Sequence, residues 1–200
     1  RKGILHLWFT RESGPDTENR FDLTIQALPD EHIYGCGETY SKLDLKGENV
    51  RIFVAEHQNA GRIGKKLIRE KIFGVKPNHV MDFSKYESYY AQPTFVGAVP
   101  ESHKYFIHMN CKRYSEFDFR DGYTTTFHLE ELPDLYYGEA ETFQELSRLQ
   151  SALLGRQQEL PDWIYDGAIL AIQEGCDKID EKLARAKEAG IKVNGVWSQD

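Results

Sequence analysis

The sequence lacks long apolar runs, has few cysteines and carries no excess of positive charge. Its mean hydropathy is -0.59, and no stretch approaches the roughly 20 apolar residues that span a bilayer, so it predicts no transmembrane helix. The three cysteines, Cys36, Cys111 and Cys176, are far apart and odd in number. They fit neither a disulfide framework nor a zinc site, and predict a reducing compartment, the cytoplasm.

The net charge of -7 argues against nucleic acid as a partner, because no basic stripe is present to neutralise phosphates. The most basic stretch, residues 62–71, contains Glu70 and no aromatic residue, which is typical of a solvated loop or strand face. The histidines have no metal-ligand spacing, and no catalytic triad, phosphate-binding glycine loop or nucleotide fingerprint is present. The sequence therefore predicts no metal and no cofactor.

The first nine residues do not have the features of a leader peptide, since their apolar stretch is short and no small-residue cleavage site follows. No initiator Met precedes them. We therefore expect the chain to begin inside a longer one.

Residues 1–140 have the pattern of a β-sandwich: short runs of apolar and aromatic residues separated by Gly, Pro and Asp turns. The predicted strands are residues 4–9, 21–28, 50–55, 94–99, 104–110, 115–119 and 124–129. The last of these alternates with a period of two, as expected for a sheet with one face in water. Residues 56–92 are less regular, and we expect them to form part of the rim of a binding site.

Residues 141–166 predict a helix and a linker. Thr142 and Glu145 form a capping-box pair, Gly155 ends the helix, and Pro161 disfavours a helical conformation at the preceding residue. Residues 167–200 then have the pattern of a strand, a helix and a second strand. The first strand is continuously apolar, which indicates burial on both of its faces. This is the repeating pattern of a parallel (β/α)8 barrel.

Polar side chains stand at the C-terminal ends of both predicted barrel strands, where such barrels bind their substrates. Alternation places Ile169, Ala171 and Gln173 on one face of the first strand, and Gln199 on a face of the second with Trp197. Gln173 and Gln199 are therefore a candidate pair directed into one cavity; alternatively, each only hydrogen-bonds a loop backbone. Asp200 either binds sugar or caps the next helix.

Three other polar residues are weaker candidates. Glu38 follows the tight turn Gly35-Cys36-Gly37 and could present a carboxylate, although a lone Glu in a turn is more often structural. His57 and Gln58, in the irregular stretch, either touch the substrate or are ordinary surface residues.

Several motifs resemble the family-31 glycoside hydrolases. Tyr34-Gly-Cys-Gly-Glu38, Leu43-Asp-Leu-Lys-Gly47 and Gln92-Pro-Thr-Phe-Val96 resemble the N-terminal, galactose-mutarotase-like β-sandwich of that family. Residues 154–167, Leu-Gly-Arg-Gln-Gln-Glu-Leu-Pro-Asp-Trp-Ile-Tyr-Asp-Gly, resemble the segment that leads into its catalytic barrel. Within the family the resemblance is to the bacterial sulfoquinovosidases and extends from about residue 33 to residue 200.

The resemblance implies a retaining enzyme that hydrolyses α-glycosides of 6-sulfoquinovose by double displacement. Gln173 and Gln199 match two glutamines that bind the sugar, and Asp200 accompanies them. The aspartate nucleophile, the aspartate acid/base and the sulfonate-binding Arg, Trp and Tyr are expected after residue 200, so we expect no catalytic residue and no activity in residues 1–200 alone.

The expected partners are the sugar substrate and the remainder of the barrel, whose strands are needed to pair the edges of the two strands present. The oligomeric state stays open, a homo-oligomer included. Two alternatives also stay open: an α-glucosidase or α-xylosidase of the same family, and a non-catalytic carbohydrate-binding β-sandwich.

Overall fold

The computed structural model describes residues 3–12, 20–38, 41–54, 86, 89–173 and 175–198. The chain divides into two compact units, Arg1–Gly155 and Arg156–Asp200. The described part of the first unit is built mainly from antiparallel strands, and that of the second from parallel strands joined by a helix. Most of residues 56–92, which were predicted to form part of the rim of a binding site, lie outside the described residues.

Nine strands are described in the first unit. In chain order they are β1 (Ile4–Trp8), β2 (Phe21–Gln26), β3 (His32–Gly37), β4 (Asn49–Ile52), β5 (Ala91–Ala98), β6 (Lys104–Asn110), β7 (Ser115–Asp118), β8 (Thr124–Leu129) and β9 (Asp134–Ala140). They form two antiparallel sheets, ordered β1-β9-β6-β5-β3 and β2-β8-β7-β4. This arrangement confirms the predicted sandwich and adds β3 and β9, which the sequence did not predict.

The two sheets face each other across an aromatic core. Phe95 from the first sheet and Phe117 and Phe127 from the second are almost wholly buried. The Phe117 and Phe127 rings meet edge to face at 4.9 Å, and Phe95 meets Phe119 in the same way at 5.1 Å, a geometry that adds to the free energy gained by burial. Strand β8 buries every second residue, so its predicted period of two is confirmed.

A helix, α1 (Phe143–Leu154), packs on the outer face of the first sheet. Thr142 caps it, since its Oγ1 accepts a hydrogen bond from the Glu145 N–H at 3.2 Å, and the helix ends at Gly155. Leu146 is buried with Phe106 of β6. Both predicted helix boundaries are thus confirmed.

Strand β9 was missed because it contains a glycine in its interior, which ordinarily weakens a strand. Tertiary packing explains the exception. Gly138 lies beside Phe106 of β6, and an added Cβ would come within 2.3 Å of that ring. The missing side chain makes room for the aromatic ring, so the strand gains packing that its own sequence does not reveal.

The second unit consists of β10 (Ala168–Ile172), α2 (Cys176–Glu188) and β11 (Val193–Ser198), preceded by a 3-10 turn at Asp162–Tyr165. The two strands are parallel, as predicted. The expectation that β10 is buried on both faces is not met within this unit. Ile172 is buried but Ile169 is 49% exposed, because the described residues of the unit supply a single helix to cover the strands.

Candidate functional site

The candidate site is the C-terminal end of β10 and β11. Gln173 is the first residue after β10 and its side chain is exposed. Gly175, with a φ of 82°, then turns the chain into α2, a backbone conformation that favours glycine. The short connection holds Gln173 at the strand end rather than on a long loop.

The residues behind Gln173 share one face of the parallel pair. Ile169 lies beside Gly195 and Ala171 beside Trp197, and paired residues in a sheet project to the same side. Trp197 is 63% exposed there. This face is therefore apolar at the level of Ala171 and Trp197, and the polar Gln173 follows two residues after Ala171.

The opposite, N-terminal end of the strands is held by structural contacts. The Asn194 Nδ2 donates to the Trp163 carbonyl oxygen at 2.5 Å, and the Lys192 ammonium pairs with the Asp166 carboxylate. An added Cβ at Gly167 would lie 2.8 Å from the Lys192 carbonyl oxygen. The segment of residues 154–167 therefore attaches to the strands at the end away from Gln173.

Four of the predicted site residues lie outside the described residues: His57, Gln58, Gln199 and Asp200. Their proposed roles remain predictions.

Glu38 is described, and it belongs to the first unit. Its side chain is exposed, and its N–H donates to the Tyr90 carbonyl oxygen at 2.7 Å. The preceding turn is strained: Cys36 has a φ of 64°, and an added Cβ at Gly37 would lie 2.1 Å from the Tyr90 oxygen. The glycines are thus required to bring β3 close to the start of β5. Burial raises the pKa of the Cys36 thiol, so it is not a reactive nucleophile.

The motif Leu43-Asp-Leu-Lys-Gly47 has a structural role. The Asp44 carboxylate accepts hydrogen bonds from the His32 ring at 2.7 Å and from the backbone N–H groups of Ile33 and Lys46 at 3.0 and 3.1 Å. Burial alone would raise the pKa of Asp44, but these bonds favour the ionised form and lower it. Asp44 therefore joins its loop to β3.

A buried ionic cluster was not predicted from the sequence. The Glu31 carboxylate, 2% exposed, accepts from the Lys46 Nζ at 2.8 Å and from the Tyr105 hydroxyl at 2.9 Å. Burial and the neighbouring Glu31 charge raise the pKa of Tyr105, which keeps its hydroxyl protonated as a donor. The three residues are 15 and 74 positions apart along the chain, so no local pattern could have revealed the cluster.

Within the described ranges, no group of three or more His, Cys, Asp or Glu residues is arranged to hold a metal ion. None of the helices described there is long and apolar enough to cross a membrane.

No protein-family model matches the chain. It is 39% identical over 183 residues to the sulfoquinovosidase of Escherichia coli (strain K12), covering 91% of this chain and 26% of the relative. It is 31% identical over 186 residues to the sulfoquinovosidase of Agrobacterium fabrum, covering 92% and 27%. The chain thus spans about a quarter of the length of the curated relatives it matches.

The chain is also similar to solved structures. The fold matches a family-31 sulfoquinovosidase from E. rectale, in complex with the aza-sugar inhibitor IFGSQ, with a TM-score of 0.78 and 29% identity. The match covers 100% of this chain and 29% of that structure. A cycloalternan-degrading enzyme from Trueperella pyogenes matches with a TM-score of 0.68 at 18% identity, over 96% of this chain and 25% of its own, and shares the fold.

Proposed function

The chain belongs to the sulfoquinovosidase-like members of the family-31 glycoside hydrolases, and on that premise we propose that its full-length protein hydrolyses α-sulfoquinovosides with retention of configuration. The observation that carries the proposal is the similarity to two sulfoquinovosidases over more than nine-tenths of the chain. The parallel β10–α2–β11 unit, with an exposed glutamine at the end of β10, supports it from the structure.

In this proposal the first step is attack of a carboxylate on the anomeric carbon while a second carboxyl group protonates the leaving oxygen. Water, deprotonated by the second group, then cleaves the glycosyl-enzyme bond. Both carboxyl groups come from parts of the protein after residue 200. Residues 1–200 contribute the sandwich and two strands of the barrel, and have no hydrolytic activity alone.

Gln173 has the role of a neutral hydrogen-bond donor to the sugar. The substrate carries a permanent sulfonate charge into a site that also needs ionised carboxylates. An amide donates to hydroxyl or sulfonate oxygens without adding negative charge, whereas a further carboxylate nearby would cost several kcal/mol in a poorly solvated site.

Gln199 and Asp200 complete the proposed sugar-binding set. The parallel register, in which Ile172 lies beside Ser198, supports this proposal, because Gln173 follows Ile172 and Gln199 follows Ser198 in the sequence. Asp200, one residue later, would accept a hydrogen bond from a sugar hydroxyl.

The test replaces Gln173 by Glu in the full-length protein, with Gln157→Glu as the matched control in the exposed linker. Chromogenic α-sulfoquinovoside and α-glucoside are compared as substrates. Repulsion of about 3 kcal/mol corresponds to a loss on the order of 100-fold in kcat/KM, and we expect this loss for the sulfosugar with a much smaller loss for the glucoside. The control is expected to match the unsubstituted protein.

Two results would contradict the proposal. Hydrolysis of the α-glucoside in preference to the sulfosugar by the unsubstituted protein would indicate an α-glucosidase of the same family. An equal loss on both substrates in Gln173→Glu would show that Gln173 does not act through the charge of the substrate.

We place the protein in the cytoplasm. The three cysteines are free, and Cys176 is exposed, which suits a reducing compartment. Formation of a disulfide by Cys176 in protein isolated under non-reducing conditions would argue against this location.

A further inference from the structure

Trp197 of β11 is a large aromatic residue close to the candidate site, and the proposed chemistry gives it no role. It lies beside Ala171 of β10, and its side chain is 63% exposed. Gln173 follows two residues after Ala171, and residues two apart along a strand project to the same face. Trp197 and Gln173 therefore belong to one face of the strand pair.

Apolar side chains lie on this face toward the N-terminal ends of the strands. Ile169 lies beside Gly195. A Cβ added at Gly195 would lie 3.7 Å from a side-chain carbon of Ile169 and 3.9 Å from a ring carbon of Trp163. These are ordinary van der Waals distances, so both side chains already lie over Gly195. Trp197 thus has an apolar layer on its N-terminal side and Gln173 on its C-terminal side.

The face has three levels along the strands: Ile169 with Gly195, then Ala171 with Trp197, then Gln173. Successive levels are about 6.6 Å apart, since a strand rises about 3.3 Å per residue. Aromatic side chains reach diagonal neighbours at such separations. Ala171 has only a methyl group, so the indole is the large side chain at the middle level of the described strands.

Gln173 is the kind of residue that needs support from a neighbour. Its side chain is long and exposed, and a glutamine that becomes fixed on binding loses rotamer freedom. A binding group keeps its geometry when the residues packed against it are rigid. A tryptophan side chain has only two rotatable bonds, which makes it a rigid surface.

We propose that Trp197 is a positioning residue whose indole packs against the Gln173 side chain and holds its amide toward the sugar. The inference rests on the proposed function, because it assigns a supporting residue to the same site. Direct stacking of the indole on the sugar fits less well, since Trp197 lies one level below Gln173 along the strands.

The experiment is a double-mutant cycle in the full-length protein, with kcat/KM for a chromogenic α-sulfoquinovoside as the readout. Trp197→Ala is expected to lower kcat/KM at least about 10-fold, because a small displacement of a positioned group has a large effect. In a Gln173→Ala background the same substitution is expected to change kcat/KM less than about 2-fold, since the residue through which Trp197 acts is gone. An undiminished loss in that background overturns the proposal, because contact with the sugar or a merely structural role would produce it.

The conservative variant gives a second, independent result. Trp197→Phe keeps a planar ring and is expected to retain kcat/KM within about 3-fold of the unsubstituted protein. A loss as large as that of Trp197→Ala overturns the proposal. The matched control is Trp163→Ala at the opposite end of the strands, whose effect is expected to be the same with and without Gln173.

Urea unfolding of each full-length variant, followed by near-UV circular dichroism, shows whether it folds. If Trp197→Ala does not fold, Trp197→Leu, which is apolar but has no ring, takes its place in the cycle. Failure of the proposed function is recognised separately. If the unsubstituted protein prefers the α-glucoside, the cycle is measured on that substrate, and the same coupling between Trp197 and Gln173 is expected.

Discussion

The two units bury apolar residues to very different extents. In the first, Phe117 and Phe127 are wholly buried between two sheets, whereas in the second Ile169 and Trp197 are half-exposed or more. Antiparallel sheets form from neighbouring chain segments and can cover one another. Parallel strands need cover on both faces, and the described residues of the second unit supply one helix. The first unit has a core of its own, whereas the described residues of the second leave much of their apolar surface exposed.

The largest expected effect comes from separating the units. Residues 1–155, expressed alone, are expected to unfold in one cooperative urea transition followed by near-UV circular dichroism. Residues 156–200 alone are expected to stay unfolded, because two strands and a helix bury too little apolar surface. The expected contrast between the units would be wrong if residues 156–200 unfolded cooperatively, or if residues 1–155 did not.

Removing an apolar side chain should lower the free energy of unfolding more in the first unit than in the second. Phe95→Ala removes a ring that contacts Phe117 and Phe119 and is expected to cost about 4 kcal/mol. Ile169→Ala, at a half-exposed position, should cost well below about 1 kcal/mol in residues 1–200. Urea unfolding of both variants measures the contrast, and similar losses would contradict it.

Breaking the buried ion pair should lower the free energy of unfolding more than breaking an exposed pair does. Lys46→Met leaves the Glu31 charge buried without its cation and is expected to cost about 3 kcal/mol. Adding Glu31→Gln should recover part of the loss. The control, Lys178→Met, breaks the exposed pair with Glu181 and should have no measurable effect on urea unfolding. Additive losses in the double variant would show that the two groups are not coupled.

The hydrogen bonds to Asp44 predict a pH dependence within the first unit. The pKa of Asp44 is lower in the folded state than in the unfolded state. Its contribution is therefore fully present above the unfolded pKa of about 4 and is lost as the pH falls through the lower folded value. Asp44→Asn should cost about 1.5 kcal/mol at pH 7.

The measurement compares urea unfolding of the Asp44→Asn variant and the unsubstituted protein at pH 7 and at pH 3. The difference between their free energies of unfolding should be smaller at pH 3 than at pH 7. A difference that is independent of pH would mean that the charge of Asp44 contributes nothing to stability.

The last comparison concerns the starts of the two helices. The side chain of Thr142 caps α1, whereas α2 begins at Gly175, which has no side-chain cap. Thr142→Ala should lower the free energy of unfolding by about 1 kcal/mol, with Thr142→Ser close to neutral. Equal losses in both variants would show that the hydroxyl does not act as a cap.

Local sequence patterns predicted much of the fold. The alternation of residues 124–129, the N-cap at Thr142 and the strand–helix–strand order after residue 167 each depend on neighbours along the chain, and the structure confirms them. The motifs of the family-31 resemblance are likewise contiguous, and the comparisons confirm that resemblance. In the candidate site, the apolar run of residues 168–172 predicted that Gln173 lies at the end of β10, as the structure shows.

Contacts between residues far apart in the sequence could not be predicted from local patterns. No local pattern indicated that Gly138 makes room for Phe106 or that Glu31 pairs with Lys46 and Tyr105. The order of strands in each sheet was equally hidden. The sequence by itself determined most of the strands and both α-helices, because their periods and caps are local. The tertiary structure alone decided which segments meet, since that choice depends on packing between residues far apart in the chain.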